Sequence, residues 1–226
     1  QKTAYEIVDC DWSSDVCSSD LVVGWFQGRM EFGPRALGAR SILGDPRNAS
    51  LQRILNLKVK FRESFRPFAP IVLEEHAAEW FDLKGESPYM LIVAPVAEAK
   101  RIPVDPVLAD LQSTDRLEVI RSQIPAVTHV DYSARVQTVD RQRNPLLRQL
   151  LETFHAKTGC PALINTSFNV NEEPIVCSPE DAIRCFLSTN IDALCIGHAI
   201  VMHPGHADAI QEAPADRKST RLNSSH

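Results

Sequence analysis

Two helices with clearly marked ends dominate the last third of the chain, and each runs on into a short apolar strand. Asn144 stands where a helix N-cap belongs and Pro145 occupies the first turn. Leu146, Leu147, Leu150, Leu151 and Phe154 then recur at helical spacing before Gly159. An asparagine cap accepts free N–H groups of a first turn, proline there lacks an N–H that would be orphaned, and glycine takes the left-handed conformation that closes a helix. Ala162–Thr166 follows as a buried strand. Ser178-Pro179-Glu180-Asp181 opens the second helix, with Asp181 placed to complete a capping box. Asp192–Met202 reads as a last apolar strand, with Gly197 marking a bulge or a close backbone approach. Alternating helices and strands confine such a chain to an α/β layer architecture.

The earlier part of the chain continues the alternation. Val22–Gln27 reads as a strand, and Gly28–Gly44 as a Gly- and Arg-rich loop with a short helix. Asn48 or Ser50 caps a helix running to about Leu57. Pro67 and Pro70 interrupt helix and lead into Ile71–Leu73; Glu74–Phe81 is a short helix and Tyr89–Val96 a strand. Lys100–Ser122 is a polar excursion. Ala126–Val130 and Arg135–Val139 read as strands flanking a turn at Asp131-Tyr132-Ser133. No internal repeat is apparent. No apolar window reaches the length of a membrane-spanning helix, so no membrane partner is expected.

The ends stand apart. Cys17-Ser18-Ser19-Asp20 and Asp216-Arg217-Lys218-Ser219 can be encoded by opposite strands of one short oligonucleotide, and both look like translated sequencing-adapter DNA. Residues 10–21 and 216–226 are therefore expected to carry no function, and Gln1–Asp9 is of uncertain origin. The native domain is expected over 22–208, between a non-native segment 1–21 and a tail 209–226. Of six cysteines, Cys10 and Cys17 fall in the suspect segment. Cys160, Cys177, Cys185 and Cys195 have no CxxC spacing, which argues against zinc and for reduced, buried thiols of a cytoplasmic protein.

Charge is concentrated. Gly28–Pro67 holds nine Lys or Arg against three acids, a local +6 in a chain of formal charge -5. A focused basic region in an acidic protein suits a small anionic ligand better than nucleic acid. Four polar clusters could carry chemistry. Gln27–Ser41 sets Arg35 among glycines, whose exposed N–H groups suit anions, although a tight turn with a surface arginine is an equal reading. Lys58–Pro70 interleaves Lys60, Arg62 and Arg66 with aromatic residues. It reads as cations in a sheltered groove, or as an amphipathic segment with solvated ends. His129 and Asp131, then Arg135 and Gln137, would each share a strand face, and a structural hydrogen-bonding role is the commoner one for such a histidine. Asn165-Thr166-Ser167-Phe168-Asn169 ends a strand with small hydrogen-bonding groups, where ligands of open α/β sheets sit. Ser167 lacks the G-x-S-x-G elbow of a nucleophile.

Three motifs taken in this order resemble one family. They are Gly24-Trp25-Phe26-Gln27-Gly28-Arg29 through Gly33-Pro34-Arg35-Ala36-Leu37-Gly38, then Phe65-Arg66-Pro67-Phe68-Ala69-Pro70, then Asn165-Thr166-Ser167-Phe168-Asn169. The chain from about Val23 to Met202 resembles the C-terminal region of the ATP-dependent O-carbamoyltransferases of the nodulation and antibiotic-tailoring type. The resemblance implies a YrdC-like α/β domain, an open twisted mixed sheet flanked by helices. It also implies that ATP and carbamoyl phosphate react here to carbamoyl-adenylate and pyrophosphate, Mg²⁺ accompanying the ATP. A separate N-terminal actin/sugar-kinase-like domain with its own metal, missing from this chain, would pass the carbamoyl group to an acceptor hydroxyl.

By motif position, Lys60, Arg66 and Arg135 are the expected catalytic phosphate contacts. Arg35, His129, Asn165, Ser167 and Asn169 join them as substrate- or ATP-binding residues, and no metal ligand is expected in this domain. The family usually has glycine near Asn171-Glu172-Glu173-Pro174, and Asn171 takes that place here; Leu108–Ser122 also looks longer than typical. Other readings are a non-catalytic phosphate- or RNA-binding module and an inactive truncated fragment.

Overall fold

The computed structural model describes residues 6–8, 21–105 and 119–203. Leu108–Ser122 falls mostly outside the described residues, as do residues 9–20 and the tail beyond 203.

Nine strands form one open, mixed sheet: β1 (Glu6–Val8), β2 (Val23–Phe26), β3 (Arg40–Gly44), β4 (Ala69–Leu73), β5 (Ile92–Pro95), β6 (Ser133–Val139), β7 (Ala162–Ser167), β8 (Ala193–Ile196) and β9 (Ala199–Met202). Their spatial order is β1-β9-β8-β2-β3-β7-β4-β6-β5. The eight strands from β2 onward carry the layer, and the short β1 pairs with β9. Pairing is antiparallel except for β2 with β8 and β4 with β6. Among the described residues four α-helices accompany the sheet: α1 (Leu51–Ile54), α2 (Glu74–Trp80), α3 (Pro145–Thr158) and α4 (Pro179–Ser188). Helix α3 packs on β4 and β7, and α4 on β2 and β8. The expected α/β open mixed sheet is thus the fold. None of the helices among the described residues is long and apolar enough to cross a membrane.

The marked helix ends behave as their chemistry requires. Asn144 Oδ1 accepts from the Leu147 N–H at 3.2 Å, and Gly159 closes α3 at φ 72°. Ser178 and Asp181 form the reciprocal capping box of α4. The α3 stripe of Leu147, Leu150, Leu151 and Phe154 is buried against the sheet, where Trp25, Ile71 and Ile164 are also fully covered. At roughly 25 cal/mol per Å² of apolar surface, this burial is the main favourable term in folding.

Several elements differ from the sequence reading. Arg40–Gly44 is a strand, not loop, and the 28–39 segment holds no helix. The helix from Leu51 widens into a π-turn over Leu55–Val59, with no side-chain cap from Ser50. Ala126–Val130 is not a strand: Pro125–Val127 is one 3₁₀ turn, and His129 N–H bonds to the Ser133 carbonyl in a tight bend. His129 and Asp131 therefore share no strand face. Asp192–Met202 folds as a hairpin, β8 and β9, turning at Gly197 (φ 58°) with open space beside it instead of a close approach. The left-handed residue near the departure at Asn171 is Glu172, at φ 66°. Cys160, Cys185 and Cys195 are buried, but Cys177 is exposed, because it precedes the Ser178 cap outside the core.

Candidate active site

The Gln27–Arg40 loop is held from inside. The Glu31 carboxylate accepts the N–H groups of Leu37 (2.6 Å) and Ala39 (2.7 Å). Buried Arg40 donates to the carbonyls of Gln27, Ala39 and Gly28 and lies 3.5 Å from the Phe26 ring centre. Burial pushes the Arg40 pKa down, countered by Glu31. The loop so fixed lays Pro34, Arg35 and Ala36 against the end of β7.

A cleft of about 200 Å³ opens there, lined by Arg35, Arg62 and Arg135, by Asn165, Thr166 and Ser167, and by Pro34, Ala36, Pro67, Phe68, Ala69 and Met90. Three arginines share this cleft with no carboxylate in its lining. Arg62 is oriented by its Nε, which donates to Asn56 Oδ1 at 2.7 Å, and its guanidinium lies 5.0 Å from the Phe68 ring centre. Asn56 is itself fully buried in the π-turn and donates to the carbonyls of Ser64 and Arg66. Burial lowers the Arg62 pKa, and the charge of Arg66 lowers it further. Burial likewise lowers that of Arg135, and the facing charge of Arg35 adds to this. The Arg135 Nε is buried with no hydrogen-bond partner among the described residues, and Asn165 Oδ1 is in the same condition. Three cations in a shielded cleft with no carboxylate among its lining residues suit an anion, because a charge interaction is stronger there than in water.

The model of the carbamoyltransferase C-terminus matches residues 14–203 of this chain. The chain belongs to the carbamoyltransferase C-terminus family. It is 45 % identical to nodulation protein NolNO of Sinorhizobium fredii over 84 % of the chain and 25 % of that protein. It is 37 % identical to the 3′-hydroxymethylcephem-O-carbamoyltransferase of Amycolatopsis lactamdurans over 83 % of the chain and 32 % of that enzyme. Protein sll1178 of Synechocystis is 58 % identical over 80 % of the chain and 29 % of its own length. The chain spans about a quarter to a third of the length of these carbamoyltransferase-family relatives.

Within this carbamoyltransferase domain, the residues singled out from the sequence divide into groups. Arg35, Arg135, Asn165 and Ser167 line the cleft together. Lys60 lies beneath them and is 3 % exposed. Its ammonium donates to the Ser167 carbonyl and hydroxyl and to the Asn169 carbonyl (2.9 Å) and Oδ1 (2.8 Å). Burial and the Arg62 charge push the Lys60 pKa down to about 7, against four oxygens that favour the charged form. Asn169 spends its side chain inside this turn, accepting also from Ser167 Oγ and donating to the Glu173 carbonyl.

Arg66 does not line the cleft. It is half-exposed and ion-paired with Glu63 at 2.9 Å. His129 lines a second, more apolar cleft of about 210 Å³ with Phe65, Val127 and Val130, which meets the arginine cleft at Pro67. Its pKa is lowered by burial and by Arg135, against the pull of Asp131.

The sequence reading left Arg62 out of the site. Its signal was the segment Lys58–Pro70 itself, but nothing there separates Arg62 from Arg66 without the buried Asn56. The carboxylates of Glu74, Glu86 and Asp140 approach one another elsewhere on the surface, where Arg143 pairs with both Glu86 and Asp140.

Proposed function

We propose that this domain is the part of a carbamoyltransferase that binds ATP and carbamoyl phosphate and forms carbamoyl-adenylate. The observation that carries the reading is the convergence of Arg35, Arg62 and Arg135 on one cleft without a carboxylate among its lining residues. Water hydrolyses carbamoyl phosphate: its oxygen goes to one product as the bond between the carbamoyl and phosphoryl groups breaks, leaving carbamate, phosphate and a proton. A carbamate oxygen attacks the ATP α-phosphorus, and the bond from that phosphorus to the bridging oxygen of the β-phosphate breaks, releasing pyrophosphate. Negative charge moves between phosphates throughout, so fixed guanidinium groups lower the barrier by holding it where it develops. The Lys60-pinned turn at Ser167 closes the same end of the cleft, its hydroxyl proton donated to Asn169 Oδ1. Mg²⁺ accompanies the nucleotide on its phosphates; the cleft lining offers it no carboxylate, and no step assigned to this chain runs through it. We assign transfer to an acceptor hydroxyl to an N-terminal domain outside the stretch that this chain shares with its longer relatives. The setting for this chemistry is the cytoplasm.

Pyrophosphate release by the full chain given ATP, Mg²⁺ and carbamoyl phosphate tests the reading. Release that depends on carbamoyl phosphate and falls roughly 100-fold or more in Arg135→Ala supports it, the scale expected for one preorganised charge donor. A folded chain that binds neither ATP nor carbamoyl phosphate overturns it.

A further inference from the structure

One polar atom of the cleft has no role in holding phosphate, and its role follows once the cleft is read as the carbamoyl phosphate site. Asn165 is 1 % exposed. Its Nδ2 donates to the Ala36 carbonyl at 3.1 Å and to Gln137 Oε1 at 2.7 Å. Gln137 in turn donates its Nε2 to the Leu37 carbonyl at 2.8 Å. A backbone carbonyl only accepts, so both amide orientations are fixed: Gln137 must turn Oε1 to Asn165, and Asn165 must spend Nδ2 on its two acceptors. What remains is Asn165 Oδ1, a buried acceptor with no donor among the described residues.

A fully ionised phosphate carries acceptors only, so it satisfies the arginines and leaves Asn165 Oδ1 unpaired. Arg135 Nε is a buried donor with the opposite need. The strand register brings the two together. Asn165 pairs with Ala69 and Ile71 with Gln137, which sets Ala69 level with Arg135. Asn165 on β7 and Arg135 on β6 thus share one sheet face, separated by a single small side chain on β4. A primary amide presents a carbonyl acceptor and an NH₂ donor side by side, which is the complement of this pair.

We propose that Asn165, oriented by Gln137, is the residue that recognises the NH₂ of the carbamoyl group and so distinguishes carbamoyl phosphate from acyl phosphates that lack it. Acetyl phosphate has nearly the same shape and charge but sets a methyl group against the Asn165 oxygen. A site built around a hydrogen bond rejects an analogue without the donor far more strongly than an apolar site separates near-isosteres.

Calorimetric titration of the full chain with carbamoyl phosphate, acetyl phosphate and inorganic phosphate tests this. Carbamoyl phosphate is expected to bind at least roughly tenfold more tightly than acetyl phosphate. Equal affinity for the two overturns the proposal and leaves the phosphate reading standing. Binding of none of the three overturns that reading itself. In Asn165→Ala the ratio of carbamoyl phosphate to acetyl phosphate affinity should fall towards one, whatever the variant does to phosphate affinity itself, and a retained preference overturns the assignment. Should that variant fail to fold, the comparison of ligands on the unaltered chain still decides.

Discussion

Arg62 and Arg66 lie four residues apart in one basic segment, yet only Arg62 lines the cleft. Asn56 makes the difference: it accepts from Arg62 Nε and fixes the turn through the carbonyls of Ser64 and Arg66. The family motif pointed to Arg66, because a motif records order along the chain and not the buried amide that aims one of two equal cations. Arg62→Ala is therefore expected to reduce pyrophosphate release much more than Arg66→Ala, which breaks only an exposed, solvent-screened pair with Glu63. Steady-state rates of both variants check this, and equal losses would place Arg66 at the substrate too. Lys60 is the converse case. Its selection from the sequence rested on motif position, as a phosphate contact, whereas its four oxygen partners all lie in the 167–169 turn. Lys60→Met should lower thermal stability by about 1–3 kcal/mol, by leaving those oxygens unpaired, and should weaken phosphate binding with it. Unfolding curves with and without phosphate would show both.

At the scale of elements, what was legible was what is local. Asn144, Gly159 and the Ser178–Asp181 box mark helix ends by hydrogen bonds made within a single turn: α3 begins and ends, and α4 begins, where they predict. Ala126–Val130 misled because Ala126 and Val127 are buried in a 3₁₀ turn beside a tight bend, not along a ladder. Arg40–Gly44 was hidden because a polar start, Arg40-Ser41, is buried only once the loop carbonyls receive the arginine.

Two contacts between elements can be tested. Arg148 of α3 is buried and donates to both oxygens of Glu75 on α2. That bond holds the Glu75 carboxyl below the usual carboxylate range. A depressed folded-state pKa stabilises fully above the unfolded value and loses its contribution as pH falls through the folded one. Acid titration of stability should therefore show a loss below about pH 4.5, the ordinary glutamate range. That loss should shrink in Glu75→Gln, which should also be about 1 kcal/mol less stable at neutral pH. Gly38 sits at φ 110°, where an added Cβ would lie 2.2 Å from Leu147 Cδ2, and its carbonyl accepts from Trp25 and Asn144. Gly38→Ala should cost about 2 kcal/mol or more, through strain and overlap together, and calorimetric melting measures it.

For the whole molecule, the sheet order decides what is exposed. β5 is an edge strand, and its outward backbone groups find no further strand among the described residues. Val93 pairs with Arg135, so its side chain stands on the face of the arginine cleft, and Leu91 shares that side by alternation. Both are largely uncovered, at 59 % and 72 %. Apolar residues on a free sheet edge favour association between chains, since pairing there satisfies backbone groups and removes apolar surface from water at one step. None of this was readable from Tyr89–Val96 as a stretch of sequence, because an apolar strand looks the same at an edge as at the centre. The chain on its own is therefore expected to self-associate as its concentration rises. In Val93→Lys the association should weaken while the melting temperature holds, because the added charge meets solvent and not core. Sedimentation velocity over a concentration series reads this directly. A chain that stays monomeric throughout would show that the twist and shortness of β5 protect the edge by themselves.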